Sequence, residues 1–210
     1  MSKFDDIRTA VMEGNADKAK SMAEIMLAAG EDPLKIIEDG LIAGMDVVGA
    51  RFKEGDMFVP EVMMCAKAMS VGVEAVRPAV KGGEIASAGV VVIGTVQGDL
   101  HDIGKNLVAM ILRSAGFDVI DIGVDNSPQK FVEAIKENNA QVVGLSALLT
   151  TTMPAMKDTI DAIAEAGLRD KVKIMIGGAP VSHDFADEIG ADGYGDDAVA
   201  ARDLCGKLVS

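Results

Sequence analysis

Apolar positions follow a helical period at the start of the chain and a strand–helix alternation after it. Phe4, Ile7 and Val11 share one side of a helix predicted over residues 3–13. Asn15 and Asp17 can cap a second helix that runs to about Ala29 and stops at Gly30. Asp32-Pro33 opens a third: Asp caps, and Pro suits a first helical turn. Leu34, Ile37, Leu41, Met45, Val48 and Phe52 then form one apolar stripe, broken at Lys53-Glu54-Gly55-Asp56. Pro60 opens a fourth helix with Met63, Ala66, Ser70, Val73 and Val76 on a face, where Ala66 and Ser70 allow close packing. Four short helices with brief connections predict a small bundle over residues 1–82.

Lys81-Gly82-Gly83-Glu84-Ile85-Ala86-Ser87-Ala88 is small and glycine-rich, and residues 83–88 read as an interdomain linker. From residue 89 to 210 short apolar runs alternate with helical ones. Strands are predicted at Gly89–Thr95, Asp118–Asp121, Gln141–Ser146 and Lys173–Ile176, with a weak one at Asp192–Tyr194. Helices are predicted near 103–115, 128–138, 154–166, 183–189 and 197–208. This is the pattern of a parallel sheet covered on both faces, of α/β class. Five strands suit a flavodoxin/Rossmann-like order, 2-1-3-4-5, with its ligand crevice at the carboxyl ends of strands one and three.

Composition narrows the function. The chain has 210 residues, a formal charge of −13 and no tryptophan. That charge disfavours nucleic acid, whose phosphates require concentrated Lys and Arg. The acidic N-terminus MSKFDDIRTA lacks the apolar core of a signal peptide, and no apolar segment is long enough to span a bilayer. Cys65 and Cys205 form neither a disulfide framework nor a zinc spacing. A soluble, reduced, cytoplasmic protein is the simplest expectation. Of thirteen methionines, eight besides Met1 precede residue 70, either as fillers of an irregular core or as an adaptable binding face.

Three loops at the expected crevice carry the candidate chemistry. The first is Gly98-Asp99-Leu100-His101-Asp102-Ile103-Gly104-Lys105, between the first strand and its helix. Asp99 can accept from the His101 ring, which fixes the tautomer and makes the other nitrogen a basic metal ligand. Gly104 leaves a large ligand room to approach the turn. The glycine spacing is that of neither a phosphate loop nor a dinucleotide-binding turn. The second loop, Gly144 to Thr152, places Ser146 at a strand end and a run of threonines before Pro154, with Thr152 a candidate cap for the next helix. The third is Ile176-Gly177-Gly178-Ala179-Pro180, a turn that can also leave space for a flat group. Ser182 is a natural cap, so His183 reads as structural.

Asp-x-His-x-x-Gly, then 41 residues, then Ser-x-Leu, then 28 residues, then Gly-Gly resembles the cobalamin-binding domain of corrinoid methyltransferases and base-off mutases. Phe52-Lys53-Glu54-Gly55-Asp56-Met57-Phe58-Val59-Pro60-Glu61-Val62 resembles the cap module of cobalamin-dependent methionine synthase. Essentially the whole chain therefore resembles a stand-alone, methyl-carrying corrinoid protein. The resemblance implies a cobalamin or related corrinoid bound base-off, with His101 as the cobalt ligand tuned by Asp99. It implies that Gly98, Leu100, Asp102, Ile103, Gly104 and Leu148 also bind the cofactor. Ser146, Thr150, Gly177, Gly178, Tyr194 and Ala198 would surround the displaced nucleotide tail. Glu54, Phe58 and Met63 of the cap would shield the upper, reactive face.

Such a protein takes a methyl group from a substrate-specific methyltransferase, passes it to an acceptor methyltransferase for tetrahydrofolate or a thiol, and needs a reductive activase. It is a carrier rather than a complete enzyme, and Gly82-Gly83 would be the hinge of its cap. Three other readings stay open. A cobalamin-dependent regulator would add a DNA-binding domain. A small adenosylcobalamin mutase subunit would need a barrel on another chain. A flavodoxin-like domain for FMN or a phosphoryl group would use Asp99 and Asp102 as an acidic cluster.

Overall fold

The computed structural model describes residues 3–80 and 87–209. The chain divides into two compact units, Met1–Ala86 and Ser87–Ser210. Most of the segment expected to be a linker, including the Gly82-Gly83 hinge, lies outside the described residues.

The first unit is helical. Helix α1 (Asp5–Met12) buries Ile7, Ala10 and Val11, and α2 (Ala16–Ala28) buries Ala19, Ala23 and Met26. Asn15 caps α2 by accepting from the Lys18 N–H; Asp17 lies in the first turn and does not cap it. Asp32 caps a single turn, α3 (Pro33–Lys35). The long third helix predicted from its stripe is not uniform. Residues Ile36–Ile42 wind as a π-helix before α4 (Ala43–Glu54) resumes the α geometry.

The packing of α1 accompanies this change. Gly40 and Gly44 let α1 approach closely, since a Cβ at Gly40 would come within 2.8 Å of Ile7 Cγ2. A Cβ at Gly44 would come within 3.0 Å of the Arg8 carbonyl oxygen. Arg8 Nε donates to the Asp39 carbonyl at 2.6 Å. Leu34, at the head of the predicted stripe, is exposed, while Ile37, Leu41, Met45 and Val48 are buried.

Helix α5 (Val59–Val76) begins one residue before Pro60, where the missing N–H leaves no bond unmade. The Phe58 N–H donates to Glu61 Oε2 at 2.8 Å and closes the first turn. Val62, Cys65, Ala66 and Met69 face inward. Met63, expected on one face with Ala66, is exposed with Met64, because the buried stripe runs through Val62, Cys65, Ala66 and Met69. A single 3₁₀ turn, Arg77–Ala79, follows.

The second unit is a five-stranded parallel sheet: β1 (Val90–Thr95), β2 (Asp118–Asp121), β3 (Val142–Ser146), β4 (Lys173–Gly177) and β5 (Gly193–Gly195). The order β2-β1-β3-β4-β5 is the predicted one, with the switch point between β1 and β3. Thr95 pairs with Ser146 at the carboxyl ends of those two strands. Helices α6 (Ile103–Ser114), α7 (Pro128–Asn138), α8 (Pro154–Glu165), α9 (His183–Ile189) and α10 (Ala198–Val209) cover both faces.

Alternate strand residues feed separate cores, as the period of two requires. Val92, Val143, Leu145, Ile174 and Ile176 pack with Phe131, Met156, Ile160 and Ile189 of α7, α8 and α9. Val91, Ile93, Val142 and Met175 pack with Ala109, Leu112 and Cys205 of α6 and α10. Both faces are dry, so the strands are continuous apolar runs and the polar chemistry is left to their ends.

Candidate functional site

The β1–α6 loop, residues 96–102, and the β3–α8 loop, residues 147–153, meet above the switch point. Gly98 turns the first loop with φ +83°. Asp99 then points into the protein and is fully buried. Its Oδ1 lies 3.0 Å from the His101 N–H and 2.7 Å from His101 Nδ1. Its Oδ2 accepts from the Leu148 N–H at 2.8 Å, the Leu149 N–H at 3.3 Å and the Thr152 hydroxyl at 2.7 Å. One carboxylate thus ties both loops together. Burial alone pushes the Asp99 carboxyl up, but these hydrogen bonds outweigh it and hold the group well below the ordinary carboxylate range.

This arrangement decides what Asp99 can do. Both of its oxygens are saturated by donors, so it offers no lone pair to a cation, as a receiver-like acidic pair with Asp102 would require. Asp102 accepts instead from Asn106 Nδ2. What Asp99 can do is orient an imidazole. With Nδ1 directed at Asp99, Nε2 is the nitrogen free to bind a metal, and half of the His101 side chain is exposed.

The surroundings of His101 are apolar and open. Leu100 is 71 % and Ile103 80 % exposed, and Leu148 and Leu149 are exposed beside them. A Cβ on Gly104 would meet nothing within 4 Å, so the protein's own packing gives no reason for glycine there. Gly178 is different. Its φ is +132°, and a Cβ would lie 1.8 Å from the Ala147 carbonyl oxygen. Glycine at 178 is demanded by the crossing of two loops, whatever else it accommodates. Gly177 is partly buried, with a Cβ position 3.3 Å from the Gly195 carbonyl oxygen.

The remaining predicted residues fall in two places. Ser146 is half-buried at the end of β3, and Thr150 is exposed in the loop beyond it. Tyr194 lies in β5, donates to Asp196 Oδ1 and meets His183 edge to face at 5.0 Å. Ala198 opens α10 and is buried. His183 follows Ser182, which caps α9 as expected. In the first unit Glu54 ends α4, while Phe58 and Met63 lie exposed at the start of α5.

Thr152, read from sequence as a helix cap, does not cap α8; its hydroxyl donates to Asp99 and lies 2.9 Å from the Leu149 carbonyl. Three consecutive threonines were the available signal, but only the folded loop shows which one turns inward. The linear pattern gives no sign of the part played by Lys105. Its side chain is buried and its Nζ meets both carboxylate oxygens of Asp121 at 2.6–2.7 Å, tying the start of α6 to the end of β2.

Comparison with known proteins gives the family. Residues 89–202 match the family model of the B12 binding domain, and residues 3–77 match a second B12 binding domain model. Dimethylamine corrinoid protein 1 of Methanosarcina acetivorans is 52 % identical over 182 residues, 86 % of this chain and 85 % of that protein. Trimethylamine corrinoid protein 1 of the same organism is 46 % identical over 203 residues, 96 % of this chain and 93 % of that one. A chain in the crystal structure of the methanol:cobalamin methyltransferase complex MtaBC from Methanosarcina barkeri superposes with a TM-score of 0.87 at 34 % identity. That match covers 99 % of this chain and 79 % of the other. The fold is an α/β domain whose sheet end is apolar and open around a carboxylate-oriented histidine. With these matches, the chain belongs to the B12-binding corrinoid proteins of methyltransferase systems. Among the described residues, no helix is long and apolar enough to cross a membrane.

Proposed function

We propose that this protein carries a methyl group between two methyltransferases on a corrinoid bound base-off, whose cobalt His101 Nε2 would hold. One observation carries the reading: Asp99, buried and saturated, aims the half-exposed His101 ring through a 2.7 Å contact at Nδ1. The residues fit the group on their own geometry. Exposed Leu100 and Ile103 and the open space at Gly104 leave an apolar platform for a flat macrocycle around one basic nitrogen.

When bound, the corrinoid supplies a cobalt centre that accepts and releases the methyl group, which is chemistry no side chain here provides. The chain's own residues hold and tune. Asp99 fixes the tautomer and supports positive charge on the ring whenever Nε2 carries a proton. Thr152 and the Leu148 N–H keep the carboxylate in place. We assign contacts with the macrocycle to Gly98, Leu100, Asp102, Ile103 and Gly104. Contacts with the displaced tail go to Ser146, Leu148, Thr150, Gly177, Gly178, Tyr194 and Ala198. Exposed, apolar Phe58 and Met63, with Glu54, support a shielding role for the first unit.

The proposed partners are a substrate-specific methyltransferase, an acceptor methyltransferase and a reductive activase, without nucleic acid or membrane. The named relatives support methylated amines or methanol as the donor class. The test is the visible spectrum after reconstitution with hydroxocobalamin and desalting, beside His101→Ala. Retained corrinoid with a base-off, His-ligated spectrum that changes in the variant is the expected result. Folded wild-type protein that retains none would overturn the reading.

A further inference from the structure

Among the polar side chains buried in the second unit, Thr95 stands out by position. It is the last residue of β1 and is completely buried. Its main chain is held on one side by the neighbouring loop: the Thr95 N–H donates to the Gly123 carbonyl at 3.0 Å. Its carbonyl accepts from the Asn126 N–H at 3.1 Å and from Asn126 Nδ2 at 2.9 Å. Thr95 is therefore a fixed post at the sheet end. Its hydroxyl donates to the main-chain carbonyl of His101 at 2.9 Å.

That bond completes the hold on one residue. Asp99 Oδ1 takes the His101 N–H and meets the ring Nδ1. Thr95 takes the His101 carbonyl. Asp99 lies on the same loop as His101 and is bonded to the β3–α8 loop, so it orients the ring relative to those two loops. The Thr95 hydroxyl refers the residue to the sheet, the rigid element of the domain. Without it the carbonyl of an exposed residue can turn to water, and the peptide plane that carries the imidazole turns with it.

We propose that Thr95 is a positioning residue for axial ligation: its hydroxyl seats the His101 main chain on the end of β1 and so sets where Nε2 stands. The proposal rests on the reading of His101 as the lower cobalt ligand. Threonine is suited to the place because its branched side chain fits a strand while its hydroxyl reaches the loop. Valine has nearly the same shape and lacks only the hydroxyl.

The test is a double-mutant cycle read as hydroxocobalamin affinity, from absorbance titration of the apoprotein. Thr95→Val is expected to raise the dissociation constant about fivefold, the effect of losing one hydrogen bond of ordinary strength. In a His101→Ala background the same substitution is expected to change it by less than about twofold, since no ligand remains to be misplaced. Thr95→Ser keeps the hydroxyl and is expected to match the wild type.

A second readout needs no cofactor. In the apoprotein, Thr95→Val is expected to shift the ring signals of His101 in the ¹H–¹⁵N spectrum, and Thr95→Ser to restore them. An equal affinity loss in both backgrounds, or unmoved His101 signals in a folded Thr95→Val protein, overturns the proposal. If Thr95→Val does not fold, Thr95→Ala replaces it in the cycle and in the spectrum. Wild-type protein that binds no corrinoid defeats the ligand assignment itself and this proposal with it. Wild-type binding with no Thr95 effect defeats this proposal alone.

Discussion

Asp99 grips His101 twice with one oxygen: Oδ1 lies 3.0 Å from its main-chain N–H and 2.7 Å from its ring Nδ1. The second oxygen faces the other loop, so the residue that aims the ring also joins the β1 and β3 ends. The two residues should therefore respond differently to substitution. His101→Ala removes one hydrogen-bond partner of buried Asp99, whose Oδ1 keeps the main-chain N–H, and is expected to cost about 0.5–1 kcal/mol. Asp99→Ala strands buried donors and is expected to cost about 1–3 kcal/mol. Urea unfolding of the two apoproteins checks the contrast.

Acid provides a second view of the same carboxylate. The folded Asp99 carboxyl is held below its ordinary value, so the unfolded chain takes up that proton at higher pH than the folded one. Stability from this group is complete above the unfolded value of about 3.9 and is lost as pH falls from there through the folded value. The urea midpoint of the wild type is expected to drop more steeply below about pH 4 than that of Asp99→Asn. Parallel slopes would show that the group does not contribute.

Two glycines separate a fold requirement from a ligand requirement. Gly104→Ala puts a Cβ into open space within α6 and is expected to leave the apoprotein as stable or up to about 1 kcal/mol more so, while weakening corrinoid retention. Gly178→Ala meets the Ala147 carbonyl and a disfavoured φ, and is expected to destabilise the apoprotein directly. Thermal unfolding without cofactor, followed by spectra after reconstitution, distinguishes the two.

Thr152 should act through its hydroxyl alone. Thr152→Ser retains the bond to Asp99 and is expected to match the wild type, whereas Thr152→Ala should cost about 1 kcal/mol and weaken His101 ligation. A cap on α8, the alternative role, would leave the His101 spectrum unmoved.

The thiols should be silent. Both cysteines are buried. Burial pushes the Cys205 thiol up to about 12, and the Cys65 thiol is also raised, chiefly by burial. Neither is expected to react with a thiol reagent at neutral pH until denaturant is added, when both should react. Rapid labelling of either in the native protein would contradict their placement.

Much of this was legible beforehand for identifiable reasons. Val90 to Ile93 and Val142 to Leu145 are apolar on both faces, and only a parallel sheet covered twice accounts for such short runs between helices. Asp99 and His101 are two residues apart, so their contact is nearly local. The π turn over Ile36–Ile42 was not legible, because a helical stripe reads much the same through a widened turn. Met63 was misplaced for a related reason: a methionine-rich helix has apolar residues on more than one side, and only its neighbours select the buried one.

By itself the sequence determined the order of elements, the sheet topology and the loop that presents His101, since these follow from hydrophobic period, turn residues and local spacing. Tertiary structure decided which distant groups complete the site. Thr152 rather than Thr150 reaches Asp99, Lys105 rather than a surface cation is buried against Asp121, and the Thr95 hydroxyl finds the His101 carbonyl. Those partners are chosen where buried polar groups must be satisfied by whatever the fold brings within about 3 Å, a condition that no linear pattern records.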